Sequence, residues 1–196
     1  MPSEPVSIHS HVNAIHLRCH RMSSTLSLHL ADEAATLRFG RALAEAVEPG
    51  LFIALSGALG SGKTTLTRGV LAGLGHRGTV PSPTYTLLEP YIFSKLDLYH
   101  FDLFRFRDEH EWHDSGFSDY FNPRSVCVVE WAENAQHLLP QADLDVRLAV
   151  AGQGRDLHIE AHTATGERCL ERLRQREGSV GDVGAPDAGP VPPATP

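Results

Sequence analysis

Leu51-Phe-Ile-Ala-Leu-Ser-Gly57-Ala58-Leu59-Gly60-Ser61-Gly62-Lys63-Thr64-Thr65 decides how this chain is read. Residues 51–56 are a short apolar run, as a strand buried on both faces requires. Gly57 to Thr64 then match G-x-x-x-x-G-K-[ST] at every fixed position. Glycines let the backbone curl so that several amide N–H groups converge on phosphate oxygens. The start of the following helix, expected over about 63–74, adds partial positive charge. Lys63 can reach the β- and γ-phosphates of a nucleotide, and the Thr64 hydroxyl can coordinate Mg2+. A strand before and a helix after the loop is the context this chemistry needs. An incidental Gly-rich turn would not require it.

Upstream, 25–30 alternates polar and apolar residues as a strand does, and Asp32 caps a helix reaching about Val47. Ala35, Phe39, Leu43 and Ala46 share one face of that helix, and Pro49-Gly50 stops it. Downstream, Gly73, Gly75 and Gly78 end the helix after the loop, and 79–85, with two prolines, is a connection. Strands are expected at 86–92 and 95–101, joined near Phe93-Ser94, with short helical turns over 108–121 around Gly116. A buried strand at 125–129 is closed by Glu130-Trp131; strands at 144–150 and 156–161 and a helix over about 166–176 follow. This order predicts an α/β fold of the P-loop NTPase kind: three layers about a central, largely parallel sheet with added antiparallel strands.

The domain is therefore expected over 25–176. Residues 1–24 read as an irregular extension holding four of the twelve histidines. His16-Leu-Arg-Cys19-His20 brings metal-ligand types together, but no second pair at structural spacing follows, so a disordered extension is the expectation. From Glu177 the chain is Gly-, Pro-, Ala- and Asp-rich, without Lys, Arg or aromatic residues, and reads as a disordered tail.

Composition narrows the function. Hydrophobic residues at 41% suffice for a core, while no apolar stretch approaches the ~18 residues of a membrane span. The N-terminus lacks the apolar segment of a secretory signal, and Cys19, Cys127 and Cys169 are odd in number with no CxxC. A cytoplasmic protein without a disulfide framework is expected, with Cys127 a small buried hydrophobe. A net charge of -7 makes direct, tight binding to nucleic acid a poor expectation.

In open α/β sheets ligands sit beyond the carboxyl ends of the strands. Asp102 closes one strand and Glu130 another. We assign Glu130 to Mg2+, directly or through water, and Asp102 to orienting the attacking water or the metal's water shell; spacing alone leaves the two roles exchangeable. Ser82-Pro83-Thr84-Tyr85-Thr86 is either a segment that closes over the γ-phosphate or an ordinary proline-shaped turn.

These motifs together resemble the TsaE family, formerly YjeE. The resemblance is carried by the 57–65 loop, Ser82-Pro-Thr-Tyr-Thr-Leu87 with Glu89-Pro-Tyr91, Tyr99-His-Phe-Asp-Leu103, Gly116 with Asp119-Tyr-Phe121, and Val129-Glu-Trp131. It spans about 25–176. It implies a bacterial ATPase that binds ATP and Mg2+, hydrolyses ATP slowly, and serves threonylcarbamoyladenosine formation in tRNA. The partners it implies are TsaD and TsaB, which carry out the transfer, so that tRNA is met only through that complex. By resemblance Lys63 and Thr64 serve phosphates and Mg2+, Asp102 and Glu130 are essential acids, and Glu130 is a metal ligand. The 82–87 loop is switch-like, which brings Thr84 to the nucleotide, and Trp131 lies near it; structurally, a Trp at 131 is more often core packing.

Three other readings stand beside this one. A small-metabolite kinase would use the same loop, but Arg105 and Arg107 form no evident lid. A non-catalytic binding module would use nucleotide only to control docking. A GTPase would carry an Asn-Lys-x-Asp motif, and none is present.

Overall fold

All six residues of Ser125–Glu130 are buried, which demands a strand covered on both faces. In the computed structural model, which describes residues 24–180, this strand lies inside a seven-stranded sheet. The strands are β1 (Thr25–Leu30), β2 (Phe52–Ser56), β3 (Leu88–Ile92), β4 (Asp97–Asp102), β5 (Ser125–Glu130), β6 (Leu144–Ala151) and β7 (Gly154–Ala161). Their spatial order is β1-β7-β6-β2-β5-β4-β3. The inner four, β6-β2-β5-β4, run parallel, while β7, β1 and β3 add antiparallel edges.

The helices are α1 (Glu33–Ala46), α2 (Lys63–Gly73), α3 (Glu109–Asp114) and α4 (Ala164–Val180). Successive β5 residues serve opposite layers. Val126 and Val128 pack with α1, α2 and α4 through Leu43, Leu66, Val70 and Leu170. Cys127 and Val129 pack on the other face with Phe101, Trp112 and Phe117. Trp112 is almost wholly buried and its indole N–H donates to Ser118 Oγ at 2.9 Å, so its polar edge is satisfied. Cys127 is buried as expected; burial pushes its thiol up to about 12, and Sγ donates to the Tyr120 carbonyl at 3.3 Å.

Asp32 caps α1 by accepting the Ala35 N–H at 2.6 Å. Helices α1 and α2 touch through Gly40 and Gly69: a Cβ at Gly40 would stand 2.5 Å from the Leu66 carbonyl oxygen, so only glycine permits this approach.

Several boundaries differ from expectation. Strand β3 begins at Leu88 rather than 86, because the Leu87 N–H bonds the Pro83 carbonyl and Leu87 takes φ +61°, closing a turn. Strand β7 begins at Gly154, because Gly152 at φ +59° makes a tight hairpin with β6. A 3-10 turn at Ala132–Ala135 follows β5, where the sequence pattern predicts no element. Helix α4 runs to Val180, past the expected end near 176. The histidines and Cys19 of 1–23, and the chain from 181, lie outside the described residues. Among the described residues no helix is long and apolar enough to cross a membrane.

Candidate nucleotide site

The carboxyl ends of β2, β5 and β4 meet at one edge of the sheet, and the 57–65 loop turns there from β2 into α2. Gly57 at φ +136° starts the turn; a Cβ there would collide with the Leu148 carbonyl of β6. Gly62, at φ +103°, is the N-cap of α2 and makes no side-chain cap bond. The first amides of that helix are thus left for an external acceptor, as an anion site needs.

Lys63 is 4% exposed. Its ammonium donates to the carbonyls of Gly57 at 2.8 Å and Ala58 at 3.1 Å and lies 4.0 Å from the centroid of the Trp131 ring. Burial lowers its pKa from the ordinary lysine value, against the carboxylates of Glu130, Glu133 and Asp102, which raise it. The three acids thus partly offset the burial of the ammonium at the floor of the loop.

Asp102 and Glu130 are register partners across β4 and β5, both 2% exposed. Thr64 Oγ1 donates to the Glu130 carboxylate at 2.9 and 3.2 Å, and His100 Nε2 reaches Glu130 Oε1 at 2.9 Å. Asp102 Oδ2 accepts from Ser82 Oγ and Thr84 Oγ1, each at 2.6 Å, and its Oδ1 accepts the Phe104 N–H at 3.0 Å. A hydroxyl and a carboxylate in contact beside a phosphate loop are hard oxygen donors. They are few enough to leave the rest of a Mg2+ shell to phosphate and water, so this donor set fits that ion.

Among the described residues only Leu87 and Trp131 carry positive φ without being glycine, and each adjoins the site. Such backbone costs of order 1–3 kcal/mol and persists only where its surroundings enforce it.

A cavity of about 430 Å³ gathers these groups. It is lined by Leu59, Gly60, Gly62, Lys63, Thr64, Thr65, Thr84, Asp102, Glu130 and Trp131. Of the residues expected from sequence, Gly57, Ala58 and Ser61 do not line it: the first two face Lys63 with their carbonyls, and Ser61 is fully buried. Trp131 borders the cavity and packs on Phe104 with ring centroids 5.0 Å apart, so it is both wall and packing. Arg105 lies at the mouth, 4.5 Å from the centroid of the exposed Tyr85 ring. A larger cleft of about 520 Å³ on the other flank holds neither the loop nor Asp102 nor Glu130.

Two contributors had no role in the sequence reading. Arg155, on β7, donates to the carbonyls of Ser61 at 2.8 Å and Gly60 at 3.2 Å, bracing the loop from the sheet. No local pattern marks it, because β7 meets the loop only through the folded sheet. His100 did carry a signal, since it lies two residues before Asp102 on the same face of a strand.

Comparison with known proteins finds relatives over most of the described residues. Residues 30–157 match the family model described as threonylcarbamoyl adenosine biosynthesis protein TsaE. The chain is 42% identical over 151 residues to the tRNA threonylcarbamoyladenosine biosynthesis protein TsaE of Haemophilus influenzae, covering 74% of this chain and 96% of that one. It is 42% identical over 121 residues to the Bacillus subtilis protein of the same name, covering 62% and 74%. The crystal structure of Bacillus subtilis YdiB superposes with TM-score 0.69 at 30% identity, over 80% of this chain and 98% of that one.

Proposed function

Because this chain belongs to the TsaE family of tRNA threonylcarbamoyladenosine biosynthesis proteins, we propose that it is a Mg2+-dependent ATPase acting in that modification. The observation that carries the reading is the Thr64 hydroxyl bonded to the Glu130 carboxylate at the start of α2. That pair joins the phosphate loop to the end of β5, as a nucleotide–metal site requires.

In this reading the amides of 57–65 hold the phosphates and Lys63 binds the β- and γ-phosphate oxygens, leaving its carbonyl partners. Thr64 and Glu130 would hold Mg2+, which supplies charge neutralisation on those oxygens when bound. Asp102, gripped by Ser82 and Thr84, orients the attacking water, while Thr84 and Trp131 border the nucleotide. Hydrolysis by the chain alone is slow. Its productive partners are the TsaD and TsaB proteins, and tRNA is reached only through their complex, in keeping with a net charge of -7. The setting is the cytoplasm.

The test combines affinity and turnover. ATP binding is measured by calorimetry with Mg2+ or EDTA, hydrolysis by phosphate release, and both are repeated with purified TsaB and TsaD. Co-purification with those proteins that depends on ATP, and slow hydrolysis without them, are expected. Rapid phosphorylation of a small-molecule acceptor by the chain alone would overturn the reading in favour of a metabolite kinase.

A further inference from the structure

We propose that His100 is a positioning residue for Mg2+ binding: its Nε2–H holds the Glu130 carboxylate in place from behind. The inference rests on the reading of Thr64 and Glu130 as the residues that would hold the ion. His100 is fully buried and does not line the cavity, whereas Thr64 and Glu130 do. Its Nε2 lies 2.9 Å from Glu130 Oε1; a carboxylate only accepts, so this nitrogen carries the proton. The other ring nitrogen, Nδ1, is buried with no hydrogen-bond partner among the described residues.

That orphaned nitrogen is informative. A buried polar atom without a partner disfavours folding, and the neighbouring positions Leu98, Val126 and Val128 are apolar and buried. An apolar side chain at 100 would suit the core better, so the imidazole is not explained by packing. Among the described residues its side-chain hydrogen bond is to Glu130. Thr64 and Glu130 now satisfy each other, but both are oxygen donors facing the cavity, and a shared cation competes with that contact. The bond from His100 comes from the protein side of the carboxylate and does not compete. It selects the Glu130 orientation in advance, as partners of metal ligands commonly do.

The experiment uses the full chain and compares His100→Leu, His100→Asn and His100→Gln, with ATP as probe in Mg2+ and in EDTA. The ratio of the two affinities isolates the metal contribution. We expect His100→Leu and His100→Asn, whose amide is too short to reach Glu130, to keep the EDTA affinity within about twofold and lower the ratio about tenfold. The longer amide of His100→Gln can donate to Glu130 and should restore most of the ratio. Should His100→Leu fail to fold, the Asn and Gln pair carries the same comparison. An unchanged ratio in His100→Asn, or equal losses in Mg2+ and EDTA without rescue by Gln, would overturn the proposal. Wild-type protein that binds ATP equally in Mg2+ and EDTA would instead overturn the metal-site reading beneath it.

Discussion

The wall of the site built on Glu130 and the wall built on Asp102 start from equivalent places, since the two acids are register partners on adjacent parallel strands. Their surroundings diverge. Glu130 is gripped by Thr64 of α2 and by buried His100 of β4, both parts of the central scaffold. Asp102 is gripped by Ser82 and Thr84, which belong to a connection bearing the 81%-exposed Tyr85 and closed by the strained Leu87. One acid is thus held only by scaffold elements, and the other also by a connection in which Ser82, Tyr85 and Thr86 are exposed while Pro83 and Leu87 are buried. Local opening free energy follows buried contact, so the connection on the Asp102 side is expected to open more readily than the scaffold around Glu130.

Replacing the acids gives the largest expected effect. Glu130→Ala should lower ATP hydrolysis by roughly a hundredfold or more and abolish the gain in ATP affinity conferred by Mg2+. Asp102→Ala should lower hydrolysis comparably and leave the Mg2+ gain intact. Phosphate release and calorimetry on the two variants decide the matter, and the opposite pattern would show the two walls exchanged. Severing Asp102 from its loop is milder. Ser82→Ala combined with Thr84→Val should lower hydrolysis about tenfold while ATP affinity moves little. Amide exchange over 81–87 should quicken in that variant and stay unchanged in Glu130→Ala.

Lys63 lies between the two walls and reports on both. Burial lowers its pKa and the carboxylates oppose this, Glu130 most strongly. Between the lowered folded value and the ordinary lysine value the unfolded chain binds the proton that the folded chain has lost, so fold stability from this group rises with pH. ATP affinity moves the other way, falling several-fold as the ammonium discharges at a pH where exposed lysines remain charged. Calorimetry across the alkaline range should show this limb. The limb should move to lower pH in Glu130→Gln, and by less in Asp102→Asn. Equal movement in both variants would erase the electrostatic difference between the walls.

The sequence made the Glu130 wall more legible than the Asp102 wall. The glycine spacing at 57–62, Lys63 and Thr64 are local requirements of one turn, and Glu130 ends an unbroken apolar strand; such features are written in consecutive residues. Asp102 was recognised at its strand end, but its attachment to Ser82 and Thr84 spans twenty positions or so of chain and depends on how the 82–87 turn folds back. Arg155 illustrates the limit: it reaches Ser61 from a strand that pairs on the far side of β6, so only the assembled sheet brings them together. The 3-10 turn at Ala132–Ala135 is equally non-local: it starts at Trp131, at φ +60°, whose ring meets Lys63 and Phe104 from other parts of the chain.

A third carboxylate separates what belongs to the site from what any paired acid would do. Glu48 follows α1 and accepts from Arg168 Nε at 3.0 Å and Nη2 at 2.6 Å, and from Arg172 Nη2 at 2.7 Å, tying α4 to the end of α1. The Arg168 hydrogen bond, the largest cause, lowers its pKa; burial opposes this and Arg172 adds to it. A depressed carboxylate contributes stability that is present above its unfolded value and lost as pH falls through its folded value. The pairs are partly solvent-exposed, so screening keeps the contribution to about 1 kcal/mol or less. Glu48→Gln should therefore lower the urea midpoint slightly at neutral pH, with the difference from wild type vanishing in acid, and should leave ATP hydrolysis and the Mg2+ gain unchanged. A loss of hydrolysis in this variant would mean that the α1–α4 tie, far from the carboxyl edge of the sheet, also holds the walls of the site. The contrast between the two acids would then have to be redrawn as a property of the whole fold.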